Sequence, residues 1–346
     1  MTFTLAGILF FLGASLLFYI LFGGADFGAG ILELFLGRQH QDQQREVISH
    51  AMAPVWEANH VWLILVVVIL FMGFPEIYSI ASIQLHLPII AILMGIVARG
   101  CAFTFRHYDV LDKTYYRTYS RIFSFSSLWT AFFIGVTGGS LLAGKIDPSA
   151  PDFYSLYVAS WLNPFSFTLG VFVCALFSLL ASVYLVGESH EPFVRKIFLT
   201  KYRWAQAGVL ISGAAVFLMA QLEHLPWIRT YMQNSLSLTC MGLATLLWVP
   251  LGISLTRGRS VFFPRLIGAS IAGLVLVGWY SIQFPAALLL RDANGSLRAV
   301  SFTETAAPVS VQSALLGALT VGSLLIFPAL AYLLKIFKWD DRNQKI

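Results

Sequence analysis

About nine apolar runs divide this chain, and each is long enough to cross a hydrocarbon core of about 30 Å, which takes about 20 helical residues. They fall at roughly 4–33, 53–74, 77–105, 120–143, 161–187, 203–222, 235–255, 263–290 and 307–337. Hydrophobic residues make up 58% of the 346 and charged residues only 11%, whereas about a quarter of a soluble domain is charged. The chain therefore reads as one all-α integral membrane domain, residues 1–346. The first run starts at Thr4 without a basic segment before it or a small-residue cleavage site after it, and reads as a retained span.

Basic residues set the orientation, because cytoplasmic loops carry the excess of Lys and Arg. One side collects Arg38 and Arg45; Arg106, Lys113, Arg117 and Arg121; Arg195, Lys196, Lys201 and Arg203; Arg257, Arg259 and Arg265; and Lys335, Lys338, Arg342 and Lys345. The other side has only Lys145, Arg229, Arg291 and Arg298. This split predicts an N-terminus outside and a C-terminus in the cytoplasm. The net charge of +5 follows from topology and points to no nucleic acid. Cys101, Cys174 and Cys240 lie in separate apolar runs and suggest neither a disulfide framework nor a metal site.

Ionisable groups inside spans are expensive and mark candidate sites. Here they are Asp26, Glu57, His60 and Arg99, with the amide Asn59 beside Glu57 and His60. Counted from Thr4, Asp26 lies roughly 33 Å along the first helix, near the cytoplasmic boundary. Glu57 and His60 are about one to two turns into a second helix that starts near Ala53, and Arg99 is about 9 Å from the end of the third. All four then share one stratum, with Asp26 nearer the mouth. Glu57 and His60 share a helix face and have the chemistry to relay a proton. Spacing alone leaves open a structural ion-pair network, proton conduction and ion coordination.

Other positions carry plainer readings. His86 is roughly mid-span but lacks an evident second axial ligand, so helix packing is preferred over haem ligation. The Gly24/Gly28 and Ala25/Ala29 pairs permit close helix approach. Glu33 is expected to face headgroups or water, and Trp161, Trp204, Trp227 and Trp339 to anchor span ends.

Three stretches together resemble subunit II of the cytochrome bd-type terminal oxidases: Gly24-Ala25-Asp26-Phe27-Gly28-Ala29-Gly30, Trp56-Glu57-Ala58-Asn59-His60-Val61-Trp62-Leu63 and Arg99-Gly100-Cys101-Ala102-Phe103-Thr104-Phe105-Arg106. Beyond residue 110 the likeness is mainly length, hydropathy and Asn163-Pro164-Phe165. The resemblance implies two four-helix bundles plus a peripheral helix, in a bacterial or archaeal cytoplasmic membrane. It also implies a partner, subunit I, that carries haems b and d and couples quinol oxidation to reduction of dioxygen to water. This chain would bind no haem alone, stabilise that partner and supply a cytoplasmic proton path, and a structural quinone is a further cofactor the family allows.

Carried over by position, Glu57 takes the place of the family's second-helix acid and Trp62 that of an aromatic near an oxygen route. Glu57, His60, Asp26 and Asn59 form the expected proton-transfer set, with Arg99 as counter-charge to Glu57 or Asp26. Two departures stand out. Gly23 occupies the place of a further family acid, and Glu57-Ala58 replaces Asp-Gly. The rival reading is a secondary transporter that binds an ion or substrate at Asp26, Glu57 and Arg99, although such sites favour broken helices at the midplane.

Overall fold

The computed structural model describes residues 2–37, 40–108, 113–258, 260–292 and 294–343, and within them all side chains except those at 54, 57, 107–108, 113–115, 331 and 333–343. The chain opens with α1 (Phe3–Leu34), whose N-cap Thr2 accepts from the Leu5 N–H at 3.3 Å. Next come α2 (Gln41–Gly73), the broken pair α3 (Pro75–Gln84) and α4 (His86–Tyr108), then α5 (Lys113–Ala143) and the short α6 (Phe153–Tyr157). The second half runs α7 (Pro164–Glu188), α8 (Pro192–Leu222), the short α9 (Pro226–Gln233), the broken pair α10 (Ser235–Leu246) and α11 (Trp248–Arg257), and α12 (Phe262–Gln283). A hairpin of β1 (Ala286–Arg291) and β2 (Leu297–Ser301) leads into α13 (Val309–Asn343).

Among the described residues, eight helices are long and apolar enough to cross a membrane. The number is nine when Gln41–Ala53 and Ala58–Gly73, which meet at 48°, count as one span. Pro54 falls at that join, and a proline inside a helix removes one backbone hydrogen bond. The same chemistry breaks the third helix of each half. Pro88 and Pro250 cannot donate to the carbonyls four residues back, at Gln84 and Leu246, and there α3 and α10 end.

α1, α2, α4 and α5 form one bundle, and α7, α8, α10–α11 and α12 the other. α1 and α5 pack on α7 across the join, while α13 lies outside against α1 and α2. The second bundle's core runs from Leu179 and Leu185 through Phe198 to Leu251. A separate core ties Leu5, Ile8 and Leu12 of α1 to Leu288 and Leu290 of the hairpin.

Several boundaries differ from the sequence reading. The eighth helix was expected to reach residue 290, but α12 stops at Gln283 and residues 286–291 form a strand. Pro285 explains the stop, since it pushes Phe284 into an extended conformation (φ −63°, ψ 136°). A short buried apolar run such as Ala286–Leu290 reads equally well as helix or strand. The second helix starts at Gln41 instead of near 53 because its first turns are helix-forming but polar, and the sixth at Pro192 instead of 203 because Arg195, Lys196, Lys201 and Arg203 interrupt its apolar run. Trp227, expected as an interfacial anchor, lies in the short α9 between two spans and packs on Phe165 and Phe217, with ring centroids 5.7 and 5.8 Å away.

α1 meets its neighbours closely because residues Gly23 to Gly30 are nearly all small. A side chain at Gly28 would run into the Phe177 backbone carbonyl of α7, and one at Gly30 into Ser127 of α5. Gly28→Ala should therefore destabilise the purified protein, at or above the upper end of the about 1–3 kcal/mol cost of overpacking. Gly13→Ala, where nothing lies within 4 Å, should leave the melting temperature unchanged. Equal melting temperatures for the two variants would show that the α1–α7 contact has slack.

Candidate functional site

The small residues of α1 let α2, α5 and α7 close around Asp26, which is 0% exposed, while α4 reaches it through Arg99. One carboxylate oxygen accepts from Arg99 Nη2 of α4, and the other accepts from Asn59 Nδ2 of α2 at 3.5 Å. Arg99 is 1% exposed. Its Nε donates to Ser127 Oγ of α5 at 3.1 Å, and its guanidinium lies 5.0 Å from the Phe27 ring and 4.8 Å from that of Phe123. The charge is thus matched by an opposite charge, two side-chain hydrogen-bond partners and two aromatic faces, which makes burial tolerable. Arg99, expected to balance Glu57 or Asp26, pairs with Asp26; the Glu57 side chain lies outside the described residues.

Seven residues further along each helix there is a second ion pair. Glu33 was expected to face headgroups or water, but it is 4% exposed. Its carboxylate accepts from Arg106 Nη1 at 3.0 and 3.1 Å, and Arg45 Nε approaches it at 3.3 Å. Arg106 also donates to Ser49 Oγ at 2.7 Å and lies 4.7 Å from the Phe123 ring. Phe123 therefore contacts both guanidinium groups. Arg106 and Arg45 had been counted as loop charges; both are buried. Because α1 and α4 run in the same direction, a spacing of seven on both helices gives two rungs about 10 Å apart.

This geometry corrects the depth reading. Asp26, expected near the cytoplasmic end of its helix, is followed two turns later on α1 by Glu33, which is nearer that end. Glu57 is not one turn into its helix, because α2 begins sixteen residues earlier, at Gln41. The Glu57 backbone lies in α2 two residues before Asn59, and its side chain is outside the described residues. His60 is half-buried, packs edge-on to Trp56 at 6.0 Å and lies within electrostatic reach of Asp26 and Arg99. Trp62 is buried and stacks on Phe18 at 4.4 Å, with Phe327 of α13 at 5.9 Å.

Reading from sequence missed Glu33, Arg106 and Tyr19 as members of the site. Tyr19, Asp26 and Glu33 lie seven apart on one buried stripe of α1, and that spacing was the available signal. The Tyr19 hydroxyl and Asn59 Oδ1 are buried without a hydrogen-bond partner among the described residues, as are the Trp56 and Trp62 indole nitrogens. His86 is held by packing: its Nδ1 lies 2.8 Å from the Ile83 carbonyl and its ring meets Tyr157 edge-on. No cluster of three metal-ligating side chains occurs among the described residues.

Fold and site together define a polytopic helical membrane subunit with charges sealed inside one of its two bundles. Residues 5–337 match the family model for cytochrome bd terminal oxidase subunit II, and the chain belongs to that family. It is 29% identical over 170 residues to the cytochrome bd ubiquinol oxidase subunit 2 of Bacillus subtilis (strain 168), covering 49% of each chain. It is 30% identical over 186 residues to the cytochrome bd-I ubiquinol oxidase subunit 2 of Escherichia coli (strain K12), covering 51% of this chain and 48% of that one. These alignments span about half the length of the curated relatives. The solved bd oxidase of Geobacillus thermodenitrificans contains a chain of the same fold, with TM-score 0.74 and 18% identity over 98% of this chain and 99% of that one. The family assignment disfavours the transporter reading.

Arg99→Met leaves Asp26 buried and uncompensated, which costs about 3–5 kcal/mol for a buried pair. It should reduce recovery of assembled protein sharply, whereas the Asp26→Asn/Arg99→Met double variant should recover much of the loss. Gel filtration and thermal unfolding of the three variants would measure this coupling. If the double variant were no better than Arg99→Met, the two residues would not be energetically paired.

Proposed function

We propose that this chain is the haem-free second subunit of a membrane oxidase that couples quinol oxidation to reduction of dioxygen to water, and that its first bundle carries cytoplasmic protons toward the haem-bearing subunit I. The observation that carries this reading is Asp26, a fully buried carboxylate bound by Arg99 and Asn59 and within reach of His60. Haems b and d belong to the partner, and this chain stabilises it through its apolar helix faces. The excess of basic residues at one set of span ends supports a C-terminus in the cytoplasm of a bacterial or archaeal cell.

Each residue has a distinct part. Arg99 cannot release its proton, so it serves as a counter-charge that holds Asp26 in place. Glu57 is the principal proton-transfer acid, with His60 beside it on the same helix and Asn59 joining that helix to Asp26. Trp62, in its aromatic cluster with Phe18 and Phe327, lines the oxygen route.

A structural quinone fits the second bundle. A cavity of about 520 Å³ is lined by apolar side chains including Phe172, Leu176, Phe177 and Trp248, together with Trp227 and Trp279. Both of these last indole N–H groups are buried without a partner among the described residues. Donors without acceptors in an apolar chamber suit a ligand with a hydrophobic body and carbonyl oxygens. Trp227 and Trp279 would hold the quinone carbonyls, and the quinone would supply a two-electron redox group. Trp279→Phe should lower the quinone recovered by solvent extraction of the purified complex; unchanged recovery would place any bound quinone elsewhere.

The proton path is tested at Glu57. Glu57→Gln keeps volume and hydrogen-bonding capacity but removes the titrating charge. It should slow oxygen consumption by about a hundredfold, the lower range for losing a positioned proton-transfer group, with haem content and electron entry intact. Glu57→Asp should retain much of the activity. Wild-type turnover and cytoplasmic proton uptake by an assembled Glu57→Gln complex would leave only a structural role for this cluster.

A further inference from the structure

A second, polar cavity lies at the basic end of the second bundle, and none of its lining residues belongs to the ion pairs of the first. It occupies about 150 Å³ where α7 and α11 end and α8 and α12 begin, and Gly187, Ser189, Arg195, Ser254, Gly258 and Ser260 line it. Its charge is unbalanced. Arg265, just beside it, is paired with Glu188 at 2.5 Å. Arg195 has no carboxylate partner among the described residues, and its recorded hydrogen bond is one donated to the Leu255 carbonyl at 2.6 Å. A guanidinium has five N–H donors, so Arg195 brings a half-buried positive charge and spare donors into a cleft lined by serine hydroxyls.

Two further observations favour an anion. Ser260 Oγ accepts from the Phe262 N–H at 3.2 Å, which leaves its hydroxyl proton available to a ligand. In addition, α8 starts without a side-chain cap, whereas α1, α7 and α10 are capped by Thr2, Asn163 and Asn234. Uncapped helix N-termini present unsatisfied N–H groups and the positive end of the helix dipole. The surroundings are apolar: Phe193 in the first turn of α8 and Phe262 and Phe263 in that of α12 are exposed where these spans begin. An anion held here would lie at the level where lipid headgroups give way to chains.

We propose that this cleft binds the phosphate of an anionic phospholipid, with Arg195 as the charged contact, Ser254 and Ser260 as hydroxyl donors, and the three phenylalanines against the glycerol and upper chains. Basic pockets between spans at the cytoplasmic side are suited to such headgroups. The ligand ties the α7–α8 turn to the α11–α12 turn.

The test uses the protein purified with its partner subunit, in phosphatidylcholine nanodiscs carrying a trace of spin-labelled phosphatidylglycerol or spin-labelled phosphatidylcholine. The immobilised fraction of each label is read by electron paramagnetic resonance. Wild type should hold phosphatidylglycerol about tenfold more tightly than phosphatidylcholine, as one charge-assisted contact allows. Arg195→Gln should abolish the preference, and Arg257→Gln, outside the cleft, should keep it. Should Arg195→Gln fail to assemble, Ser260→Val in an assembled complex should weaken the preference. Equal retention of the two lipids by wild type, or undiminished selectivity in Arg195→Gln or Ser260→Val, would overturn the proposal. Inorganic phosphate should not displace the lipid; phosphate binding without lipid selectivity would make this a free-phosphate site and overturn the lipid assignment.

Discussion

Everything in the first bundle depends on an ion pair that could not persist if its helices stood further apart. A carboxylate and a guanidinium removed from water lose several kcal/mol of hydration each, and they recover it only with close geometry and satisfied hydrogen bonds. The glycines of α1 supply that closeness. Gly28 brings α7 to the backbone of α1, and Gly30 makes room for Ser127, which is also the residue that accepts from Arg99 Nε. The packing motif and the charged site are therefore one device. A substitution that widened the α1–α5 or α1–α7 contact would also let water or conformational freedom reach Asp26.

The second rung extends the same logic. Phe123 contacts both Arg99 and Arg106, so the two pairs share an aromatic wall. Lys201 of α8 donates to the Leu32 carbonyl at 3.1 Å, bringing the second bundle to the end of α1 beside Glu33. The lower rung thus collects α1, α2, α4 and the neighbouring bundle, and the upper rung collects α1, α2, α4 and α5. Between them they fix the register of the first bundle.

Much of this was legible in the sequence, and the failures have physical causes. Hydropathy located the spans because burial in lipid demands about 20 apolar residues. It could not locate the polar first turns of α2, where helix propensity and not transfer energy keeps the chain helical, nor the start of α8, where four basic residues interrupt the apolar run. Asp26, Asn59 and Arg99 were visible because a charge or amide in an apolar run is anomalous. Glu33, Arg45 and Arg106 lie at span ends, where charge is ordinary, so composition gave no alarm. For Glu33 and Arg106, the spacing of seven from Asp26 and Arg99 carried the information; Arg45 had no such signal. The strand at residues 286–291 escaped because a short buried apolar run has no period of its own, and only Pro285 hinted at the break.

The two bundles share a construction while differing in content. In each, the third span is broken four residues before a proline, at Gln84 and at Leu246, although no sequence repeat accompanies the likeness. The first bundle fills its interior with paired charges. The second leaves an apolar cavity edged by indole donors. These interiors cannot be interchanged, since an unpaired charge in the apolar chamber would go unsolvated, at a cost of several kcal/mol. Charges stay buried in the first bundle because each finds a partner on a neighbouring helix, and the second bundle keeps its cavity because the side chains around it are apolar.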